Sequence, residues 1–235
     1  TLFRSLSFQV SAQTSEKYNS DYENFYRAED LFDKAQYGAA RMEFRTFMDG
    51  YPHPNDPMYI KASYYEALSA LNLYNNDAEK LLMDFLKDYP ESVYRTDIYF
   101  RLGKHFYYRK KYDDALVWLN KLSIQDIEAE DQDEFYFKLG YANFQEENFD
   151  AARNAFIEIK DGASQYAAPA LYYYSHIAYN NEQYQLALEG FLKLENDEKF
   201  GKLVPYYIAQ IYYLQGKYEE VTKYAKKISD RKSVV

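Results

Sequence analysis

Along the middle of the chain, apolar residues fall three and four positions apart, and the phase restarts after a short polar break. Tyr99, Leu102, Gly103 and Phe106 share one helix face, and Tyr112, Ala115, Leu119 and Leu122 share a second. Arg109-Lys110-Lys111 lies between them as a polar turn. The spacing predicts two short helices folded back on each other. Gly103 and Ala115 are small at contact positions, and helix axes approach to about 8–10 Å only where contact residues allow it. A lone hairpin leaves an apolar face in water, so the pattern requires neighbours.

The chain supplies them. About 37 residues on, the pattern returns as Tyr136, Leu139, Gly140 and Phe144, then Phe149, Ala152, Phe156 and Ile159. It returns again as Tyr172, His176 and Tyr179, then Tyr184, Ala187, Phe191 and Leu194. A last copy has Ile208, Ala209, Tyr212 and Gly216, then Tyr218, Val221, Ala225 and Ile228. Upstream copies run through Ala28, Leu31, Ala40 and Phe44, and through Ala67, Ala70, Ala78 and Leu82, the latter if its turn is one residue shorter. A repeat of about 34–38 residues with this spacing resembles the tetratricopeptide repeat. The resemblance covers most of the chain and implies an all-α fold, a right-handed α-solenoid of about six helical hairpins. The predicted repeats are 21–54, 55–91, 92–128, 129–163, 164–199 and 200–229.

The fifth residue of each first helix reads Phe25, Tyr64, Phe100, Phe137, Tyr173 and Tyr206, all aromatic. In the family it resembles, this position faces a concave groove, where peptides or partner helices bind. The resemblance therefore implies a partner-binding ladder, with Glu29, Lys104, Tyr107, Tyr141, Asn180, Gln210 and Tyr213 as neighbouring groove positions. The other reading is that the rings pack repeat on repeat, since an aromatic stripe at helical spacing is commonly core. Family members that clamp a carboxylate tail carry Lys, Asn and Arg at the groove positions. Here Lys104 is nearly alone, which argues against that role.

Two units close on Tyr51-Pro52 and Tyr89-Pro90, the second followed by Glu91-Ser-Val-Tyr94. These endings are similar to repeats of bacterial cell-envelope proteins, the BamD-like and CpoB-like groups, and Tyr-rich repeats resemble proteins of the Bacteroidota. The expected function is a non-catalytic scaffold in envelope or secretion machinery, with outer-membrane assembly as one setting.

Composition narrows the partners. Net charge is −9, and no basic stripe reverses it, so nucleic acid and bare anionic membrane are disfavoured. No apolar run approaches the ~20 residues of a membrane span. With Cys 0, disulfides and thiolate sites are excluded. The acid run Asp126, Glu128, Glu130, Asp131, Asp133, Glu134 lacks the glycine and spacing of a calcium loop and reads as a solvated loop with helix-start acids. His53, His105 and His176 are too scattered for a metal triad, and His176 reads as a packed core residue. No nucleophile–base set, phosphate-cradling glycine loop or carboxylate pair stands out. No catalytic residue, metal or cofactor is expected.

Punctuation fixes the remaining expectations. Asn19-Ser20-Asp21 is a predicted cap for the first helix, and Asp56-Pro57 is a cap followed by the first helical residue. Gly162 is a predicted left-handed helix end, and Pro169 and Pro205 fall in first turns. Thr1-Leu-Phe-Arg-Ser5 and Asp230-Arg-Lys-Ser-Val-Val235 translate the two strands of one sequencing adapter, so the native segment is expected to be about Leu6–Ser229. Residues 1–20 then hold adapter-like residues and a disordered start, in which Val10-Ser-Ala12 fits the end of a secretory signal. A periplasmic or exported location follows, or a cytoplasmic regulatory scaffold if the signal is spurious. An N-terminal arm of a longer enzyme or sensor is the third reading.

Overall fold

The computed structural model describes residues 22–232, and all regular structure among them is helical. The first helix, α1, covers residues 22–33. It is followed by α2 (Tyr37–Gly50), α3 (Pro57–Asn72), α4 (Ala78–Asp88), α5 (Arg95–Tyr108) and α6 (Tyr112–Leu119). After a 3-10 turn at Ile124–Asp126 come α7 (Gln132–Gln145), α8 (Phe149–Ile157), α9 (Ala167–Asn180), α10 (Tyr184–Lys193), α11 (Val204–Leu214) and α12 (Tyr218–Lys232). These pair as six hairpins. Residues 1–20 and the cap at Asn19-Ser20-Asp21 lie outside the described residues. Positions 230–232 continue the backbone of α12.

The same device closes the first helix of every hairpin. One residue takes the left-handed conformation: Ala35, Tyr74, Lys110, Glu147, Glu182 and Gly216, with φ between 55° and 73°. Its N–H donates back to the third residue before it, and the next N–H donates five residues back, as in Lys111 to Phe106 at 3.0 Å and Gln183 to Ala178 at 2.8 Å. This pair of bonds satisfies the carbonyls that a helix end leaves open. Only the last hairpin uses glycine. Gly162 does not take a positive φ, contrary to the sequence expectation, because α8 has already ended at Ile157 and its closing bonds need no left-handed residue. Asp56 caps α3 as expected, accepting from the Met58 N–H at 2.8 Å.

The chain divides into two compact units, residues 1–98 and 99–235, with the boundary inside α5. In the first, α1 to α3 pack around Phe25, Ala28, Ala40, Phe44, Phe47 and Ala62, and α4 packs on α3. Glu66 is buried on α3 and accepts from both Arg41 Nε (2.8 Å) and Arg45 Nε (2.9 Å) of α2. From Ala78 to the left-handed Tyr74 is four residues, where the other hairpins have five, so the turn of the second hairpin is one residue short.

In the second unit α6 to α12 pack each on the next. Two apolar clusters centre on Phe156 and Phe191, each sealed by the first helix of the following hairpin. The close crossings predicted from glycine are present. A Cβ at Gly103 would strike the Leu119 side chain, and one at Gly140 would lie 2.7 Å from the ring of Phe156.

Candidate binding face on the last hairpin

The left-handed turn residues give a structural ruler for comparing hairpins. Ten residues before each stands Phe25, Tyr64, Phe100, Phe137, Tyr172 and Tyr206. This position is aromatic in all six hairpins, and in the fifth the ruler places Tyr172 there, with Tyr173 one residue further on. The run Tyr172-Tyr-Tyr174 offers no phase to the eye, and only the hydrogen-bonded turn fixes it.

The ladder's surroundings differ along the chain. Phe25 and Tyr64 are buried in the first unit, Phe25 against Phe44 and Phe47, Tyr64 stacked on Tyr94 at 4.1 Å with its hydroxyl on Asp97. Phe100 is buried in the second unit against Phe135. Phe137 packs on Tyr166 and Phe156. Lys104 donates to Glu134 at 2.8 Å and covers the face of Phe100. Tyr107 and Tyr141 meet edge to face at 5.7 Å, and Tyr141 meets Tyr173 at 5.1 Å. All of these contacts tie one hairpin to the next or seal its own interior. Tyr206 and Tyr213 are different: both lie on α11 and are about 60% exposed.

Tyr173 has a distinct role. It stands nine residues before its turn, as do Tyr65 and Tyr207. Each of the three enters the preceding hairpin and stacks flat on a phenylalanine there. The pairs are Tyr65 on Phe44 (5.8 Å), Tyr173 on Phe156 (5.7 Å) and Tyr207 on Phe191 (4.9 Å), all within 18° of parallel. Those phenylalanines follow the small second-helix residue by four: Ala40, Ala152 and Ala187. In the third hairpin the floor residue is Leu119 and the entering residue is Lys138. Lys138 lies over Tyr107 and Tyr108 at 4.3 and 4.1 Å and pairs with Glu134 at 3.3 Å.

Burial would raise the Glu134 carboxyl, but the hydrogen bond and charge of Lys104 and the charge of Lys138 outweigh it and hold the group below the usual carboxylate range. Glu134 thus leaves the acid run and becomes the anion of a partly buried triad. Nothing in the loop sequence marks it. Burial pushes the hydroxyls of Tyr107, Tyr172 and Tyr173 well up, so they stay protonated. His176 sits between Phe144, Tyr172 and Tyr207, and burial depresses its basicity.

Among the described residues the equivalent surface of the sixth hairpin is exposed. Tyr206, Ala209, Gln210, Tyr213 and Leu214 of α11 face Val221, Ala225 and Ile228 of α12 across a groove of about 440 Å³, with Tyr179 at its edge. Tyr179 donates to Gln210 Oε1 at 3.2 Å and fixes that amide. The floor position is Ala225, where earlier hairpins carry Phe or Leu. Of the sequence-predicted groove residues, this face gathers Tyr206, Gln210 and Tyr213. Glu29 pairs with Lys61, and Asn180 lies at the His176 ring, so neither joins it.

No family model matches this chain, and no curated protein matches it in sequence. Solved structures do share its fold. A tetratricopeptide repeat protein from Parabacteroides merdae superposes with a TM-score of 0.59 at 16% identity, covering 90% of this chain and 80% of that one. PilF of Pseudomonas aeruginosa superposes with a TM-score of 0.52 at 11% identity, covering 90% of this chain and 91% of that one. The hairpins of this chain have the tetratricopeptide fold. Among the described residues no helix is long and apolar enough to cross a membrane, and no group of His, Asp and Glu is placed to hold a metal.

Proposed function

We propose that this protein is a non-catalytic scaffold of the cell envelope that holds protein partners, with the α11/α12 face as a binding surface. One observation carries this reading. The groove between α11 and α12 is lined by Tyr206, Tyr213, Leu214 and Val221, and Tyr206, Tyr213 and Leu214 are exposed. Contiguous apolar surface of this kind marks an interaction site. Tyrosine suits such a site, since its ring buries area while its hydroxyl stays wet. The Tyr-Pro repeat endings and the Val10-Ser-Ala12 cleavage pattern support an exported location, in outer-membrane assembly or secretion machinery.

Site-specific photo-crosslinking tests the reading. A photoreactive residue at Tyr213 should trap one defined protein in living cells, and that product should fractionate with the envelope. The same residue at the exposed Met42 of α2 should not trap it. Capture equal at both sites, or none at Tyr213, refutes the binding surface. A product confined to the cytoplasm refutes the location.

A further inference from the structure

A second groove lies within the array, away from the α11/α12 face. Its walls are Tyr136, Leu139 and Asn143 of α7 and Ala155 and Glu158 from α8 and its end, with Asn120 just after α6 beside them, and it encloses about 410 Å³. Helix α6 packs on α7 and α9 packs on α8, so the groove already has neighbours on both sides.

The third hairpin shows the same groove filled by the chain itself. On the turn ruler the counterparts of Tyr136, Leu139 and Asn143 are Tyr99, Leu102 and Phe106. Counted from the small residues Ala115 and Ala152, the counterparts of Ala155 and Glu158 are Trp118 and Lys121. There the Trp118 indole lies against Tyr99 at 5.8 Å, and the Lys121 ammonium stands 5.7 Å from the centre of each ring. In the fourth hairpin the indole is replaced by a methyl group, the base is an amide, and the cation has become a carboxylate.

The base position is Leu31, Ala70, Phe106, Ala178 and Tyr212 in the other hairpins. Asn143 stands there instead, only 7% exposed. Its amide N–H donates to the Leu139 carbonyl at 2.9 Å, which leaves Oδ1 as an acceptor that no donor reaches among the described residues. Burying a polar atom without a partner costs stability, so this oxygen calls for an explanation. At the rim, no cation pairs with Glu158 among the described residues. Burial and the Glu158 charge together raise the Tyr136 hydroxyl above its ordinary pKa. Among the described residues no lysine or arginine lines the groove.

We infer that this groove binds a guanidinium group, the side chain of an arginine that a partner protein presents on an exposed segment. The scaffold reading enters only in assigning the guanidinium to a protein. A guanidinium is all donors, and the groove offers it an acceptor at the base, Asn143 Oδ1, and a carboxylate at the rim, Glu158. Its planar fork can serve both while its face lies on Tyr136, whereas an ammonium is a compact point charge. The methylene stem has Leu139 and Ala155 to lie along. The second hairpin already uses this pairing: Arg41 and Arg45 of α2 donate to Glu66 of α3 at 2.8 and 2.9 Å. Counted from Ala40 and Ala115, the counterpart of Arg45 beside the fourth hairpin is Asn120, which brings no guanidinium.

The test titrates the full ¹⁵N-labelled chain with the peptide acetyl-Gly-Ser-Arg-Ser-Gly-amide and follows the asparagine side-chain amides by NMR. Saturable shifts are expected at Asn120 and Asn143, with a Kd of roughly a few millimolar. The same peptide with citrulline, alike in shape but uncharged, should bind about 5-fold more weakly or worse, and the lysine peptide about 3-fold more weakly. Glu158→Lys installs the third hairpin's charge at an exposed site and should abolish the shifts. Asn143→Ala, the residue of the second and fifth hairpins, should weaken binding about 5-fold without lowering thermal stability. No saturable shifts, equal binding of the citrulline peptide, or indifference to Glu158→Lys overturns the inference. So does an Asn143→Ala variant that loses stability yet binds as before, since the amide would then serve packing. Free arginine binding as tightly as the peptide overturns the protein ligand in favour of a small molecule. A concentration-dependent dimer lost in Glu158→Lys overturns it in favour of a second copy. Partner capture at Tyr213 reads a different surface, so these failures leave the scaffold reading standing, and failed capture alone sinks that reading.

Discussion

Replacing Gly140 by Ala tests the packing logic on which the hairpins rest. Gly140 lies inside α7, at the point where that helix crosses α8. An added Cβ would stand 2.7, 2.8 and 3.1 Å from three atoms of the Phe156 ring. Ordinary carbon contacts are about 3.5–4.0 Å, so ring or helix must retreat by roughly 0.8–1 Å. Phe156 has no solvent exposure, and Tyr173 is stacked on its face at 5.7 Å. Overpacking costs about 1–3 kcal/mol, and the enclosed ring puts this case in the upper half of that range. Alanine returns about 1 kcal/mol through helix propensity. The net expectation is a loss of about 1–2 kcal/mol, or a fall in Tm of roughly 3–6 °C for a chain of this size. Thermal and urea denaturation followed by far-UV circular dichroism would measure it. Gly38→Ala is the control: Gly38 is also helical, but a Cβ there meets nothing within 4 Å. That variant should gain from a few tenths to about 1 kcal/mol. Phe156→Leu should relieve the clash, so Gly140→Ala should cost less in its presence, with a coupling of about 1 kcal/mol. If Gly140→Ala stabilises as Gly38→Ala does, or the cycle shows no coupling, the crossing is not where this structure puts it.

Three further expectations follow from the turns and the buried charges. Lys110, Glu147 and Glu182 each hold a left-handed backbone that costs a side-chain-bearing residue about 1–2 kcal/mol. Glycine at any one of them should stabilise by about 0.5–1 kcal/mol once its greater unfolded-state freedom is subtracted, and a loss measured by denaturation would contradict the assigned turns. Glu134→Ala leaves Lys138, 3% exposed, without its carboxylate and should cost about 3 kcal/mol or more by urea titration; a neutral result would mean the triad does not form. His176 is held below its ordinary pKa of about 6.5 by burial. Between the folded and unfolded pKa values the unfolded state binds more protons, so the stability from neutral His176 is complete above about pH 6.5 and is lost as pH falls. His176→Gln should flatten that part of the stability–pH curve, and an unchanged slope would show the ring is solvated.

Much of this molecule was set by the sequence alone. The number of hairpins, their period, the small residues at the crossings and the one-residue-shorter second turn are all legible, because each is a local pattern repeated six times and the copies correct one another. The aromatic rung was legible in kind, but at Tyr172 and Tyr173 its phase was not, since three tyrosines in a row satisfy either register. Only the tertiary structure decided which rings are interior. Burial of Phe25, Tyr64 and Phe100 depends on what stacks against them, and that partner lies far along the chain. The same holds for Glu134, whose ionised state is fixed by Lys104 and Lys138. A residue's type fixes what it can pack against; whether a neighbour arrives to pack there is a property of the assembled stack.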